Sequence, residues 1–295
     1  MLSLSNQIGT AIESAIAHLE CVLRLTLQES DTHRVILIDG WNDDQVTRQS
    51  VAHYLVGLRV SAINAILQIQ AALENTQQDR LEILESVITI IGEDNNLSYD
   101  RKSHERNPWI AEGLWHMCMA VAARRRELHP NGNIVALDYA HVITKDHGLD
   151  IAAMYERDNI FGLSLVESKA YRDRPNDAIN DAVAFFKEVD GGKHSARIRQ
   201  SVQIMRNALS PDQQSKISAS FWKRERTYLP NPHYHYNNNN QINWTNPRPS
   251  FRNLKPKCMI FDRSNIIIMP HILVEFDDFF DGISDEMRNF ARGLQ

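Results

Sequence analysis

Gly148-Leu149-Asp150-Ile151-Ala152-Ala153-Met154-Tyr155-Glu156-Arg157-Asp158-Asn159-Ile160-Phe161-Gly162-Leu163-Ser164-Leu165-Val166-Glu167-Ser168-Lys169 holds two apolar runs, 151–155 and 160–166, around one polar knot, 156–159. That pattern predicts a β-hairpin. A two-residue turn falls on Asp158-Asn159, residue types that tolerate the positive φ such turns need. The register then pairs Arg157 with Ile160, Tyr155 with Gly162, Ile151 with Val166 and Asp150 with Glu167. Directly opposed residues share a face, their Cβ atoms roughly 4.5–5.5 Å apart. Lys169, two residues beyond Glu167, returns to that face. Two carboxylates and an ammonium are therefore expected at one end of the hairpin. Like charges opposed across a sheet repel, and a divalent cation, which prefers oxygen ligands, would relieve them. Lys169 would then orient a water or neutralise a phosphate.

The flanks extend the pattern. Residues 108–126 predict a helix, with Ile110, Leu114, Trp115, Met117, Cys118 and Val121 at helical spacing. A turn at 129–132 and a strand over 133–140 follow. Downstream, Pro175-Asn176-Asp177 can start a helix carrying Ala178, Ile179, Ala182, Val183, Phe185 and Phe186, which Asp190-Gly191-Gly192 ends. The expected order is helix, three strands, helix.

An Asp on one strand and Glu167-Ser168-Lys169 on the next resembles the motif of the PD-(D/E)XK nuclease superfamily over residues 108–190. Gly148-Leu149-Asp150 departs from the Pro-Asp of that motif. The resemblance implies an α/β (α+β) fold with a restriction-endonuclease-like core, a mixed central sheet flanked by helices. It implies a Mg²⁺-dependent (or Mn²⁺-dependent) endodeoxyribonuclease, with Asp150, Glu167 and Lys169 as the catalytic set. Asp150, Glu167 and the Ser168 backbone carbonyl would be the metal ligands, and Glu112 on the preceding helix is a further candidate. Glu112 is placed in the first turn of that helix, where the macrodipole alone would also favour a carboxylate. Val166-Glu167-Ser168-Lys169-Ala170-Tyr171, before an Asp/Ala-rich helix, looks like the nuclease subunit of prokaryotic antiphage systems of the Hachiman type, which implies a helicase partner. A restriction endonuclease and a catalytically inactive DNA-binding or assembly module are the alternatives. The plainest alternative is a solvent-facing hairpin end with a surface Lys–Glu pair, and an all-helical scaffold would remove the hairpin altogether. Asp138 and His147 are weaker candidates beside the site.

Composition sets outer bounds. With 295 residues, 43% hydrophobic and 23% charged, the chain can bury a sizeable core. No apolar run approaches the ~18 residues of a membrane helix, and no secretory signal is evident. Three widely spaced cysteines form no metal pattern and suit a reducing cytoplasm. The net charge of −5 hides an asymmetry: residues 193–257 carry twelve Lys or Arg against Asp212 and Glu225. Lys193, Arg197, Arg199, Lys223 and Arg224 are its candidate nucleic-acid contacts, since cations supply most sequence-independent affinity. Oligomerisation stays open.

The chain divides, on this reading, into a mainly helical region, 1–105, and a nuclease-like domain, 106–295. Helices are expected over 2–26, 43–74 (one or two) and 81–91, with a strand at 34–39. Residues 230–249, with four prolines, His233, His235 and a run of asparagines, predict an exposed loop. Two histidines without Cys or acidic neighbours make a poor metal site, and the interleaved aromatics could stack on bases. A late hairpin is expected from 258–261 and 266–269, and a final helix after the acid/Phe alternation of 275–281.

Overall fold

The computed structural model describes residues 3–41, 43–60, 63–64, 68–69, 77–140, 148–218, 220–236, 242–254 and 258–294. Ser3 Oγ accepts the Asn6 N–H and so caps α1 (Leu4–Val22). Leu4, Ile8, Ile12, Ile16 and Leu19 recur at helical spacing and are buried. The helix expected through Thr26 stops at Val22. Leu25 and Leu27 stand two apart, the strand period, and β1 (Arg24–Glu29) pairs antiparallel with β2 (Arg34–Asp39).

Asp44 caps α2 (Gln45–Arg59). Of the one or two helices expected over 43–74, the first ends here, β3 (Ile63–Asn64) pairs with β4 (Gln68–Ile69), and residues 61–62, 65–67 and 70–74 lie outside the described residues. α3 (Gln77–Ile91) closes at Gly92, whose φ of 79° suits glycine. α4 (Tyr99–Arg101) and a π-helical turn, Lys102–Arg106, lead into α5 (Asn107–Ala122). α5 is buried on nearly every side, as its near-continuous apolar sequence requires. It ends four residues earlier than expected because Arg124 and Arg125 turn away to α1. Arg124 pairs with Glu13, and Arg125 donates to the carbonyls of Glu20 and Leu23 at the end of α1.

β5 (Asn133–Leu137), β6 (Ile151–Arg157) and β7 (Ile160–Ala170) form the antiparallel meander. The hairpin register is the expected one, from Arg157 opposite Ile160 to Ile151 opposite Val166. Asp158 and Asn159 adopt φ of 54° and 61°, which matches the twist of the flanking strands. The strand expected through Ala140 ends at Leu137. α6 (Pro175–Asp190) keeps both predicted ends. α7 (Ser195–Asn207), α8 (Pro211–Lys216), β8 (Arg226–His235), α9 (Pro249–Arg252), β9 (Ile267–Ile268), β10 (His271–Leu273) and α10 (Phe276–Gly293) complete the chain.

The main sheet runs β10-β8-β7-β6-β5, with β8 parallel to both β7 and β10. Residues 230–235 are thus a buried strand and not part of an exposed loop. Proline is expected only at sheet edges, and the geometry explains the exception. His233 carbonyl accepts from Tyr171 N–H and His235 N–H donates to Arg172 carbonyl, so odd-numbered residues of β8 face β7. Alternate residues of a parallel ladder serve opposite neighbours. Pro230 and Pro232 therefore lack donors only on the other side, where β10 begins pairing at His233. The late hairpin does not form either. Ile260 bridges to Glu225, whereas Ile267–Ile268 joins β2 in the sheet β1-β2-β9. The Asp262–Asn265 capping box makes the turn between them.

Two apolar cores lie on the two faces of the main sheet. One joins α1, α2, α3, α5 and α10 to Ile151, Ala153, Tyr155 and Val166. The other joins α6 and α7 to Ala152, Met154, Leu163 and Leu165. The first core spans both sides of residue 105, as does the β2–β9 pairing. Phe276, Phe279 and Phe280 of α10 face inward, so the acid/Phe alternation serves its own fold. Among the described residues no helix is long and apolar enough to cross a membrane.

Candidate active site

β7 is longer than β6, so its last residues outrun the hairpin and lean on β8 alone, Glu167 opposite Pro230 and Lys169 opposite Pro232. Asp150 stands just before β6, one register step beyond the last pair. Its Oδ2 accepts the Ser168 N–H at 2.8 Å, which ties the loop to the strand it faces. Leu163 and Leu165 point into the α6 core, and strand alternation puts Glu167 and Lys169 on the same face. The ammonium of Lys169 donates to Glu167 Oε1 at 2.6 Å and lies 3.9 Å from Asp150 Oδ2. The three side chains named by the sequence converge.

The electrostatics are strained. Glu167 is only 3% exposed. Burial, then the neighbouring Asp150 carboxylate, pushes its carboxyl well above the usual range; Lys169 opposes this, and Glu112 adds to it. Burial disfavours the Lys169 ammonium, yet Asp150 and Glu167 together hold it above the ordinary lysine value. Glu167 Oε2 is buried and accepts no hydrogen bond among the described residues. A buried carboxylate oxygen without a donor costs about 1–3 kcal/mol or more, and a cation ligated there would remove that cost. Asp150, Glu167 and the Ser168 carbonyl are the groups that could hold one. Among the described residues no group of three or more His, Cys, Asp or Glu side chains is arranged as a metal site.

Glu112 lies in the second turn of α5, not the first, because the helix starts at Asn107. The macrodipole reading therefore loses its basis, while the effect of Glu112 on Glu167 places it within electrostatic reach of the site. Asp138 is buried, and its carbonyl accepts from His116 Nε2. His147 lies outside the described residues, as do Asn237–Asn240.

The basic candidates lie apart from the carboxylates. Lys193 pairs with Glu188 beyond the C-terminal end of α6, about 24 Å of helix from its first turn at 1.5 Å per residue. Arg197 and Arg199 lie on α7. Exposed Lys223 and Arg224 precede β8, at the end of the sheet opposite Glu167.

His233, expected in an exposed loop, is instead buried in β8. Its Nε2 lies 3.2 Å from Ser168 Oγ and its Nδ1 3.0 Å from His271 Nδ1, all of them buried. These imidazoles back the strand segment that carries Glu167 and Lys169. Tyr228, Leu229 and Tyr234 carried the strand signal, and the prolines between them hid it. Compared with known proteins, the chain matches no family model, no curated protein and no solved structure.

Proposed function

We propose that the chain is a metal-dependent nuclease that hydrolyses DNA phosphodiester bonds, with a restriction-endonuclease-like core of the PD-(D/E)XK type. The carrying observation is the convergence of Lys169 with Glu167 and Asp150 beside a buried carboxylate oxygen that lacks a donor. The order helix, antiparallel meander, helix, parallel strand supports it. Asp150, Glu167 and the Ser168 carbonyl would hold Mg²⁺ or Mn²⁺, with Glu112 a further carboxylate nearby. Such an ion polarises phosphate oxygens and acidifies bound water. Lys169 positions the attacking water and offsets charge gathering on the phosphate. Asp150 ties the loop before β6 to the Ser168 N–H of β7, and Pro230 and Pro232 brace the strand from its β8 side. The exposed cations Lys193, Arg199, Lys223 and Arg224, with half-buried Arg197, would follow DNA away from the cut.

The resemblance of residues 166–171 to antiphage nuclease subunits supports a role in prokaryotic defence, in the cytoplasm, with a helicase as partner. The second reading is a nuclease-like module that binds without cutting. Plasmid cleavage with Mg²⁺ or Mn²⁺, by the protein alone and with a co-purified partner, separates them. The nuclease reading expects Lys169→Ala to cut 10²–10⁴-fold more slowly, roughly the value of a positioned proton-transfer group. Equal cutting by both proteins removes Lys169 from the mechanism, and no cutting in any arm favours the binding module.

A further inference from the structure

A cavity of about 500 Å³ opens between the first turns of α6 and the segment 242–250, lined by Asn176, Asn180, Asn243, Asn246, Arg248 and Ser250. Asp150, Glu167 and Lys169 do not line it. Its position is nonetheless related to theirs: Asn176 follows Lys169 by seven residues, and α6 covers the sheet face that bears the two carboxylates.

The lining is built to receive something. Arg248 is its one charged residue among those described, in a chain whose net charge is −5. The guanidinium stacks on Trp244 at 4.9 Å and donates to Asn176 Oδ1 at 3.1 Å. It meets no carboxylate among the described residues, and its buried Nε has no acceptor there. The support beneath is hydrogen-bonded. Arg248 N–H donates to Thr32 Oγ1, His33 Nε2 donates to the Trp244 carbonyl, and Trp244 Nε1–H donates to the Tyr234 hydroxyl. Asn180 and Asn246 make no side-chain hydrogen bond among the described residues. Arginine offers donors alone, in the fork that fits a phosphate. Asparagine offers a donor and an acceptor together, the complement of a base edge. The volume lies within the usual range for a small-ligand site.

We propose that this cavity seats one nucleotide of an unpaired DNA strand, its phosphate on Arg248 and its base against the asparagine amides. This rests on the nuclease reading for the identity of the ligand. Unpaired bases alone leave their pairing edges free to be read.

The test uses full-length protein carrying Lys169→Ala, with divalent ions chelated, so that no strand is cut. Fluorescence anisotropy follows a short labelled single-stranded oligodeoxynucleotide over a range of salt. Arg248→Gln is expected to weaken binding about tenfold, the value of one charge-assisted hydrogen bond. It should also lower the salt slope by about 0.7, the value of one phosphate neutralised on a single strand. Asn180→Asp, at an exposed helix position that tolerates either residue, should weaken binding while leaving the thermal transition in place. Parent-like binding by both variants overturns the proposal, and so does an absence of strand binding by the parent protein. Saturable binding of free deoxyadenosine monophosphate that depends on Arg248, without strand binding, reassigns the cavity to a free nucleotide and overturns the strand. The nuclease reading falls separately. Plasmid cutting with unchanged strand affinity in the variants sinks the cavity alone, and Arg248-dependent binding without cutting in any arm sinks the nuclease alone.

Discussion

Glu167 carries the tension of the site. Its carboxyl is raised well above the usual range by burial and by Asp150, so ionising it costs the folded state something the unfolded chain does not bear. Stability from a raised carboxyl is complete below the ordinary glutamate value and drains away as pH rises toward the folded one. Glu167→Gln is isosteric and uncharged, and it escapes that loss. In chelator-treated protein, Glu167→Gln should therefore melt higher than the parent at neutral pH, with the gap closing as pH falls to about 4. On the proposed nuclease function, the same variant should lose cleavage. A lower melting temperature at neutral pH would mean that Glu167 is ionised and well stabilised by Lys169 alone.

Among the elements, the hairpin was legible, as α6 was, because everything that makes it is local. Period-two apolar runs set its faces, and Asp158-Asn159 supplies two left-handed residues. Asp158→Val should cost about 1–2 kcal/mol, because a β-branched residue is an outlier in the left-handed region that Asp tolerates, measured by urea denaturation. A smaller loss would mean that the turn can adopt another form. The reason for Gly162 lies across the hairpin rather than in its own strand. A Cβ there would overlap the ring of Tyr155 directly opposite, which is fully buried. Gly162→Ala should destabilise by about 1–3 kcal/mol, as overpacking does, and a neutral change would show that the ring has room to move. β8 was illegible for a matching reason. Its prolines obey a rule about neighbours, and the neighbours come from segments far away in sequence. The Arg248 cavity is harder still, since Thr32, Asn176 and Arg248 meet only after folding.

At the scale of the molecule, the histidines make an acid-sensitive interior. Burial pushes His116 and His129 down to about 4 and His271 to about 3. Unfolded imidazoles take up protons below pH ~6.5 while these stay neutral, so their stabilising effect is complete above that value and fades as pH falls. The slope should be roughly 1.4 kcal/mol per pH unit for each such group, read from urea midpoints between about pH 6.5 and 4.5. A flat profile over that window would mean that the folded protein binds those protons too. Charge arrangement gives a second molecule-wide expectation. Arg199→Glu with Arg224→Glu should weaken duplex DNA binding and flatten its salt dependence by about 0.9 for each phosphate no longer neutralised. Unchanged salt dependence would make that surface an ordinary solvated face.

α5 has a consequence for anyone seeking a minimal fragment. A helix with fourteen of its sixteen residues buried has no side fit for water, and the roof over one flank comes from α1 and α2. Amputating everything before residue 106 would strip that roof and leave Ile110, Leu114 and Met117 bare. The truncated product should go to inclusion bodies, because the first third of the chain is the lid on which the remaining two thirds depend for solubility.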